Sequence, residues 1–343
     1  MGRSRPGHYG GSWTPPTYTV DDNHRVVGAQ PPEPHNWGRW GTEDERGTTN
    51  LITAESVRAA AGLIRTGRSV SLAIAINAEA PVHFTRPKAM RLNSISGADY
   101  IVGNPINAVY NEGMQWTDDI LIMALQGSTQ WDGLAHLVRD DVMYNGFWGG
   151  TVTSSGGAAR NGIEHQREKL IGRGVLIDVC RHQGGAPLKG GYVITGSLLD
   201  EVAAGQGTEI RPGDMVLVRT GYLGLWYQLD PVHDYVDKTT AWWTVEPGLG
   251  VDTLAWCHKR DVAAVAVDNW AVEVVPFEEA EGRPFPVHQG AIPGLGLTLG
   301  EFWWLDDLAA ACEEESRWEF FLAAQPLYVT NASGTPLNPV AIF

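Results

Sequence analysis

The apolar positions of the chain follow two periods, one typical of helices and one typical of strands. The segment from Thr53 to Gly67 predicts a helix, since it has a capping threonine, an apolar stripe at helical spacing and a final glycine. Residues 69–76 alternate as a strand does, and apolar runs predict buried strands over 174–180 and 262–267. Further predicted elements are a helix over 195–204 capped by Ser197, a turn and strand over 211–221 and a helix over 247–259. Strands that alternate with helices predict an α/β fold.

Two stretches follow neither period. Residues 1–36 are rich in Gly, Pro and Ser, which predicts an amino-terminal arm that is either disordered or extended across a neighbouring subunit. Residues 77–117 form a long excursion, and we expect part of a pocket wall there because long loops in compact domains are often functional. The length of the chain allows one large domain or two smaller ones, and no period suggests internal repeats.

Composition narrows the classes of partner and compartment. The chain has 343 residues, 40 acidic and 25 basic, and its net charge of −15 gives it no electrostatic reason to bind nucleic acid or an anionic membrane. No apolar run reaches transmembrane length, and residues 1–10 lack the apolar stretch of a signal peptide. Three dispersed cysteines without a Cys-x-x-Cys motif favour a reducing cytoplasm. We therefore expect a cytoplasmic protein with a small-molecule substrate.

Candidate chemistry is concentrated in residues 125–139. An apolar run over 119–125 predicts a strand that leads into closely spaced polar residues. These polar residues are Gln126, Ser128, Thr129, Gln130, Asp132 and His136. Asp132 and His136 are four apart, so they share a face if a helix begins there, and a carboxylate beside an imidazole suits metal binding or proton transfer. Alternatively, Asp132 caps a helix and His136 is a hydrogen-bonded core histidine.

This stretch resembles the signature of the cyclase family, which includes the kynurenine formamidase-like metal-dependent hydrolases. The signature is His-x-Gly-Thr-His-x-Asp-x-x-x-His, and the chain matches it at Thr129, Asp132 and His136. The departures are Gln126 and Gln130, where the family has histidine, and Ser128, where it has glycine. The chain thus resembles a long subgroup with glutamine at two motif positions. Because an amide is a weaker metal ligand than an imidazole, we expect metal affinity at this first site to fall.

Other segments occur in the same order as motifs of the family. They are residues 37–50, 144–146, 211–221, 268–273 and 326–342. The resemblance therefore covers residues 37–342, and it implies a single catalytic domain over 37–343. This domain would be a swivelling β/β/α domain of the α/β class, with a mixed sheet and flanking helices. It also implies assembly as a homodimer or homotetramer in which subunits contribute aromatic residues to each other's sites.

The resemblance also implies a second metal position. In the family, a histidine and a glutamate complete it together with the motif aspartate, and the corresponding residues here are His288, Glu301 and Asp132. Two carboxylates and one imidazole suit a single zinc or manganese ion, and a metal-free site is the alternative. Taken alone, His288 fits a structural role and Glu301 fits an acid at the start of a helix.

The preferred functional hypothesis is a hydrolase of an amide or ester bond in a small molecule such as an aryl-formamide, a lactam or a lactone. His136 is the predicted acid/base, with Asp132 and Gln130 as further catalytic residues. The predicted substrate-binding residues are Gln126, Trp131, Tyr144, Asp268 and Asn269, although the last two alternatively cap the turn that follows their strand. The alternatives are a metal-independent cyclase or dehydratase acting on a secondary metabolite, and a small-molecule binding protein without catalysis.

Overall fold

The computed structural model describes residues 16–103, 115–228, 241–279 and 282–343. Residues 1–15 of the predicted arm therefore lie outside the described residues. Residues 16–36 contain no helix, and an isolated β-bridge joins Arg25 to Phe147. The main-chain N–H of Val26 donates to the Gly146 carbonyl at 3.1 Å. This part of the arm thus contacts the body of its own chain.

Helices and strands alternate over most of the described chain, which confirms the predicted α/β class. The strands are β1 (Ser69–Ser71), β2 (Met90–Ile95), β3 (Asp118–Ile122), β4 (Gln130–Asp132), β5 (Val152–Thr153), β6 (Gly157–Ala158), β7 (Ile171–Asp178), β8 (Val193–Ile194), β9 (Met215–Arg219), β10 (Gly248–Leu249), β11 (Ala264–Val267), β12 (Thr298–Glu301), β13 (Glu319–Ala323), β14 (Gly334–Pro336) and β15 (Val340–Ile342). The α-helices are α1 (Ala54–Ala61), α2 (Gly97–Ile101), α3 (Val179–His182), α4 (Gly196–Gly205), α5 (Tyr222–Gln228), α6 (Thr253–Arg260), α7 (Pro286–Gly290) and α8 (Asp306–Glu315). None of these described helices combines the length and the hydropathy that crossing a bilayer requires.

One mixed sheet of nine described strands organises the molecule, in the order β1-β15-β13-β7-β9-β11-β12-β4-β14. The central strands β7, β9, β11 and β12 are parallel to one another. On both sides of them, each further strand is antiparallel to its neighbour in the sheet. The parallel strands are largely apolar and buried, as expected when helices cover both faces of a sheet. The predicted mixed sheet with flanking helices is confirmed.

Neighbouring residues of β7 belong to two separate cores. Leu176 packs in a cluster that includes Leu308 of α8, on one face of the sheet. Ile177 packs in a second cluster that includes Val202 of α4 and Leu254 of α6. Side chains of a strand alternate between faces, so adjacent apolar residues in the central strands serve helices on opposite sides. This double burial explains why these strands were recognisable as apolar runs.

The first predicted helix and strand are shorter than the pattern indicates. Helix α1 begins as predicted, and the Thr53 hydroxyl accepts a hydrogen bond from the main-chain N–H of Ser56. It ends at Ala61 rather than at Gly67, and Ile64, beyond its end, is 41% exposed. The strand predicted over residues 69–76 is limited to β1, which pairs with the short strand β15.

Two later helices also differ in their starts. The helix predicted over 247–259 begins only at Thr253, since the preceding residues form β10 and pair with β8. Thr195, not Ser197, caps α4, because its hydroxyl accepts from the main-chain N–H of Leu198. In both cases the helical spacing was present, but tertiary pairing or cap geometry decided the boundary.

Strands β2 and β3 pair with each other and stand apart from the main sheet. The strand predicted over 119–125 corresponds to β3, which ends at Ile122, three residues before the predicted end, and every residue of β3 is exposed. Several large apolar side chains of the β2–β3 pair are about half exposed: Met90, Leu92, Ile120, Leu121 and Ile122. Four of them form cross-strand pairs on one face, Met90 with Ile122 and Leu92 with Ile120, whereas Leu121 opposes Arg91 on the other face. An exposed apolar face of this kind commonly marks an interaction site.

Candidate active site

The site begins on β4, which lies between β12 and β14 in the sheet. Because strand side chains alternate, Gln130 and Asp132 share one face and Trp131 lies on the other. The Trp131 ring is fully buried in the core, 4.6 Å from the Trp303 ring, and its Nε1–H donates to the Ala324 carbonyl at 2.7 Å. The sequence analysis predicted Trp131 as a substrate-binding residue, but the structure places it in the core.

Gln130 faces Glu301 across the β4–β12 register. Its side-chain NH₂ group donates to Glu301 Oε2 at 2.6 Å and lies 3.3 Å from Asp132 Oδ1. One neutral amide thus bridges two buried carboxylates. Hydrogen bonds to ionised groups are stronger than neutral ones, so this bridge fixes the geometry of both acids.

His288 enters the same site from α7. Its Nε2 atom lies 3.5 Å from Glu301 Oε1 and 3.9 Å from Asp132 Oδ2. Its Nδ1 atom lies 2.7 Å from Glu273 Oε1, and that oxygen also accepts from the main-chain N–H of His288 at 2.9 Å. Glu273 therefore sets the ring orientation and directs Nε2 towards the two acids. Glu273 was not among the predicted site residues, although its spacing from Asp268 resembled the family.

Asp132, His288 and Glu301 fit a divalent metal ion. Their ligand atoms all lie within 4.8 Å of one another, and all three side chains are buried. Asp132 Oδ2 and Gln130 Oε1 are buried acceptors that have no hydrogen-bond partner among the described residues. Such acceptors are costly unless a cation or water lies between them. Two carboxylates and an imidazole are also the donor types of zinc and manganese sites.

Burial and close charges shift the protonation of this cluster. Burial lowers the pKa of His288, but hydrogen bonds to Glu273 and Glu301 outweigh it and raise that pKa to about 10. Burial, followed by the charge of Asp132, raises the pKa of Glu301 to about 7. A metal ion must therefore compete with protons for these ligands.

His136 lies at the edge of the cluster, in a turn and not on the helix that its spacing from Asp132 had allowed. Its Nε2 atom is 3.6 Å from Asp132 Oδ1, and its side chain is 23% exposed. The side-chain NH₂ group of Gln126 lies 3.5 Å from His136 Nδ1 and donates to Ser333 Oγ at 3.1 Å. Burial lowers the pKa of His136, although the charge of Asp132 opposes the shift. The ring is therefore neutral at neutral pH and able to accept a proton.

An aromatic wall adjoins the cluster. We define it as His83, Trp243, Trp270, Phe285 and Phe302, because each of these rings contacts at least one other ring of the set. The His83 ring stacks on Trp270 with centroids 4.2 Å apart, and the Phe285 ring lies 5.7 Å from that of His288. The predicted excursion over 77–117 thus supplies at least His83 to this wall.

Three other predicted substrate-binding residues have different surroundings. The Tyr144 side chain is fully buried, and its hydroxyl donates to Asp44 Oδ2 at 3.1 Å. Asp268 accepts hydrogen bonds from the main-chain N–H and the hydroxyl of Thr220. Asn269 bonds main-chain groups through both polar atoms of its side chain and closes its own turn, as its alternative interpretation held. The structure therefore uses these three residues to join loops and does not bring their polar atoms to the carboxylate cluster.

Comparisons with known proteins identify the family. A family model described as "Putative cyclase" matches residues 70–274. A crystal structure described as a novel cyclase is 43% identical to this chain, with a TM-score of 0.83, over 90% of this chain and 99% of that chain. The chain belongs to the cyclase family. The resemblance seen in the sequence is thereby confirmed, and the fold is the family's fold.

More distant solved structures share the fold. Isatin hydrolase A from Labrenzia aggregata, bound to benzyl benzoate, is 17% identical over 82% of this chain and 94% of that chain, with a TM-score of 0.55. An isatin hydrolase bound to the product analogue thioisatinate is 17% identical over 84% of this chain and 98% of that chain, with a TM-score of 0.54. No curated protein matches the chain.

Proposed function

We propose that this cyclase-family chain is a hydrolase that cleaves an amide or ester bond in a small aryl molecule. The observation that supports it is the convergence of buried Asp132, His288 and Glu301, with ligand atoms within 4.8 Å, beside the partly exposed imidazole of His136. A cation site next to a neutral imidazole supplies the electrophile and the base that carbonyl hydrolysis needs. The isatin hydrolases of the same fold support the reaction class.

Asp132, His288 and Glu301 would hold one zinc or manganese ion. When bound, such an ion polarises a carbonyl group and lowers the pKa of a water molecule towards roughly 7. Gln130 keeps the two carboxylates in position through its amide, and Glu273 keeps the imidazole of His288 turned towards them.

His136 would move the protons. Its neutral ring accepts a proton from water as the water oxygen bonds to the carbonyl carbon. The imidazolium that forms is stabilised by Asp132, whose Oδ1 atom lies 3.6 Å away. The ring then returns the proton to the leaving nitrogen or oxygen as its bond to the carbonyl carbon breaks. Gln126 is placed beside Nδ1 to orient the ring.

The aromatic wall points to the substrate class. Its rings run from His83 to Phe285, which contacts His288 edge-on. An aryl ring packed against His83 and Phe285, the partly exposed rings of this wall, gains dispersion and quadrupole interactions that an aliphatic group lacks. Aryl-formamides, aryl lactams and aryl lactones therefore fit the site, and kynurenine formamidase-like chemistry is one member of this class.

A turnover screen tests the proposal. Protein purified without chelator and then loaded with zinc or manganese would be supplied with aryl amides, lactams and lactones, isatin included, and the carboxylate product measured by chromatography. We expect hydrolysis that requires the metal and is lost in Asp132→Asn. The absence of turnover with every compound in the wild type would contradict the proposal and favour a binding protein.

A metal-independent cyclase or dehydratase is the second candidate. The observation in its favour is that Gln126 and Gln130 are amides, and that the Gln130 NH₂ group contacts both carboxylates between which a cation would bind. Without a metal, these amides and His136 remain able to bind a polar substrate and move protons. Full activity in excess chelator, with no metal detected by elemental analysis, would favour this candidate over hydrolysis by a metal site.

A further inference from the structure

We propose that Arg86 is a ligand-binding residue whose guanidinium binds the carboxylate group of an aryl acid. This inference rests on the proposed function and names the oxygen chemistry that the site selects. Hydrolysis of an amide or ester bond produces a carboxylate, which a guanidinium binds through charge-assisted hydrogen bonds.

The position of Arg86 supports this role. Its Nη1 atom lies 3.6 Å from Glu301 Oε2 and donates to the main-chain carbonyl of Gln126. These contacts place the guanidinium beside an acid of the cluster and beside the residue that contacts His136. The Arg86 side chain is 21% exposed, so it is accessible from solvent at the edge of a buried site.

The contacts described above leave N–H donors of the Arg86 guanidinium available for a ligand. Arginine presents five N–H donors in a planar fork that matches the two oxygens of a carboxylate. Both contacts above use Nη1, and within the described part of the chain no hydrogen bond or ion pair engages Nε or Nη2 of Arg86. A ligand oxygen could therefore be bound without breaking the contact to Glu301.

The same turn carries an aromatic surface. The main-chain N–H of Arg86 donates to the His83 carbonyl at 2.8 Å, which closes a tight turn between the two residues. His83 stacks on Trp270 with an interplanar angle of 6° and belongs to the aromatic wall. One short turn thus presents a cation next to the partly exposed ring of His83. An aryl carboxylate has the complementary pair of features.

A purely structural role is the competing explanation. In that case Arg86 only offsets the negative charge of Glu301, and its removal would change the affinities for charged and neutral ligands to the same extent. The two roles differ in ligand discrimination, because a carboxylate needs the guanidinium and an equally sized carboxamide needs it far less.

Calorimetric titration with 2-aminobenzoate and 2-aminobenzamide tests this, on zinc-loaded and on metal-free protein. Arg86→Met keeps the length of the side chain but not the charge, and Arg86→Lys keeps the charge but not the fork. Arg91→Met is the matched control, since Arg91 is 65% exposed on the β2–β3 pair and bonds Asp119. We expect Arg86→Met to weaken benzoate binding by about 10- to 100-fold and benzamide binding by less than about 3-fold. The benzoate affinity of Arg86→Lys should lie between those of the wild type and Arg86→Met, and Arg91→Met should bind both ligands as the wild type does.

Equal loss of both ligands in Arg86→Met, unchanged benzoate affinity, or no binding of the benzoate by the wild type would overturn the proposal. If Arg86→Met does not fold, a benzoate affinity in Arg86→Lys equal to that of the wild type overturns it as well. The readout needs no turnover. Charge discrimination that depends on Arg86 in a protein without hydrolase activity would refute the proposed function alone, and hydrolysis without such discrimination would refute this inference alone.

Discussion

The Nδ1 atom of His288 lies 2.7 Å from a carboxylate oxygen of Glu273, while the other oxygen of that carboxylate accepts from the main-chain N–H of Val287 at 3.0 Å. Glu273 therefore holds both the imidazole ring and the first turn of the helix that carries it. With Nδ1 donating a hydrogen bond, Nε2 is the ring atom that faces Asp132 and Glu301. A carboxylate in this position orients the ring and increases its basicity as a ligand.

Glu273→Gln should weaken zinc binding by about 10- to 100-fold, as is typical when the carboxylate behind a metal-binding histidine is removed. Competition with a chromophoric chelator would measure the affinity without any need for a substrate. Glu279→Gln is a control, since Glu279 is an exposed acid on the same segment. Equal zinc affinities in the wild type and Glu273→Gln would mean that His288 is not a metal ligand.

His136→Ala should reduce kcat by about 10²- to 10⁴-fold, the usual loss when a general acid–base group is removed. The side chain is partly exposed and lies in a turn, so the melting temperature should change little. His258→Ala, which removes an exposed histidine of α6, should retain the wild-type rate. Nearly full activity of His136→Ala on a substrate found in the screen would exclude this residue from the mechanism.

The double change Gln126→His and Gln130→His should raise the amount of bound metal. Imidazole is a much better ligand for zinc or manganese than a neutral amide, so the motif position beside Asp132 would gain two ligands. Elemental analysis after equilibration with zinc is the measurement, and we expect occupancy to rise from one towards two ions per chain. Occupancy that stays the same or falls would show that the amides do not limit metal binding.

Glu246→Gln should make stability less dependent on pH. Burial raises the pKa of Glu246 from an ordinary 4.5 to about 8, although its carboxylate accepts from the main-chain N–H groups of Trp270 and Ala271. The folded state therefore holds this proton more tightly than the unfolded state. The resulting stability is fully present below the unfolded pKa and is lost as pH rises through the folded value.

Glutamine retains the accepting oxygen but does not ionise, so the free energy of unfolding of Glu246→Gln, relative to wild type, should increase between about pH 4.5 and 8 and then level off. Urea denaturation across that range gives the comparison. A difference in free energy of unfolding that is constant with pH would show that Glu246 does not hold this proton in the folded state.

The chain should form a homodimer or homotetramer through the β2–β3 pair. Both strands expose apolar side chains and pair with no other described strand, so a second copy offers a self-complementary cover. Ile120→Asp, on the face that Ile120 shares with Leu92, should shift the protein towards monomer in light scattering, since a buried unpaired charge opposes association. Leu327→Asp changes an exposed leucine elsewhere and serves as the control. A wild type that is monomeric at micromolar concentration would contradict this prediction.

Sequence patterns predicted the sheet well where burial alone dictates the residues. Strands β7 and β11 carry apolar side chains on both faces, so their runs could be read without knowledge of neighbours. Boundaries were less accurate because they depend on partners distant in sequence. The start of α6, for example, was set by the pairing of β10 with β8.

The candidate site was predicted in part. Motif order indicated Asp132, His288 and Glu301, and the structure brings them together, while their role as ligands stays a prediction. Trp131 was misplaced because its motif neighbours were considered without the alternation of a strand, which sends it to the core. The segment of Arg86 was expected to supply part of a pocket wall, but its contact with Glu301 could not be predicted, since it depends on a turn within a segment that has no periodic pattern.

Gln130 and Asp132 stand on a strand that is hydrogen-bonded on both sides, by β12 and by β14. Arg86 and His83 instead belong to a turn outside any helix or strand. Amide protons of β4 should therefore exchange with solvent only on global unfolding, whereas those of the turn exchange through small local openings. The site therefore combines a strand that should open only with the whole molecule and a turn that should open locally. Ligand entry and release would then depend on this turn and the chemistry on β4, so that ligand exchange rates and catalytic geometry can change independently by mutation.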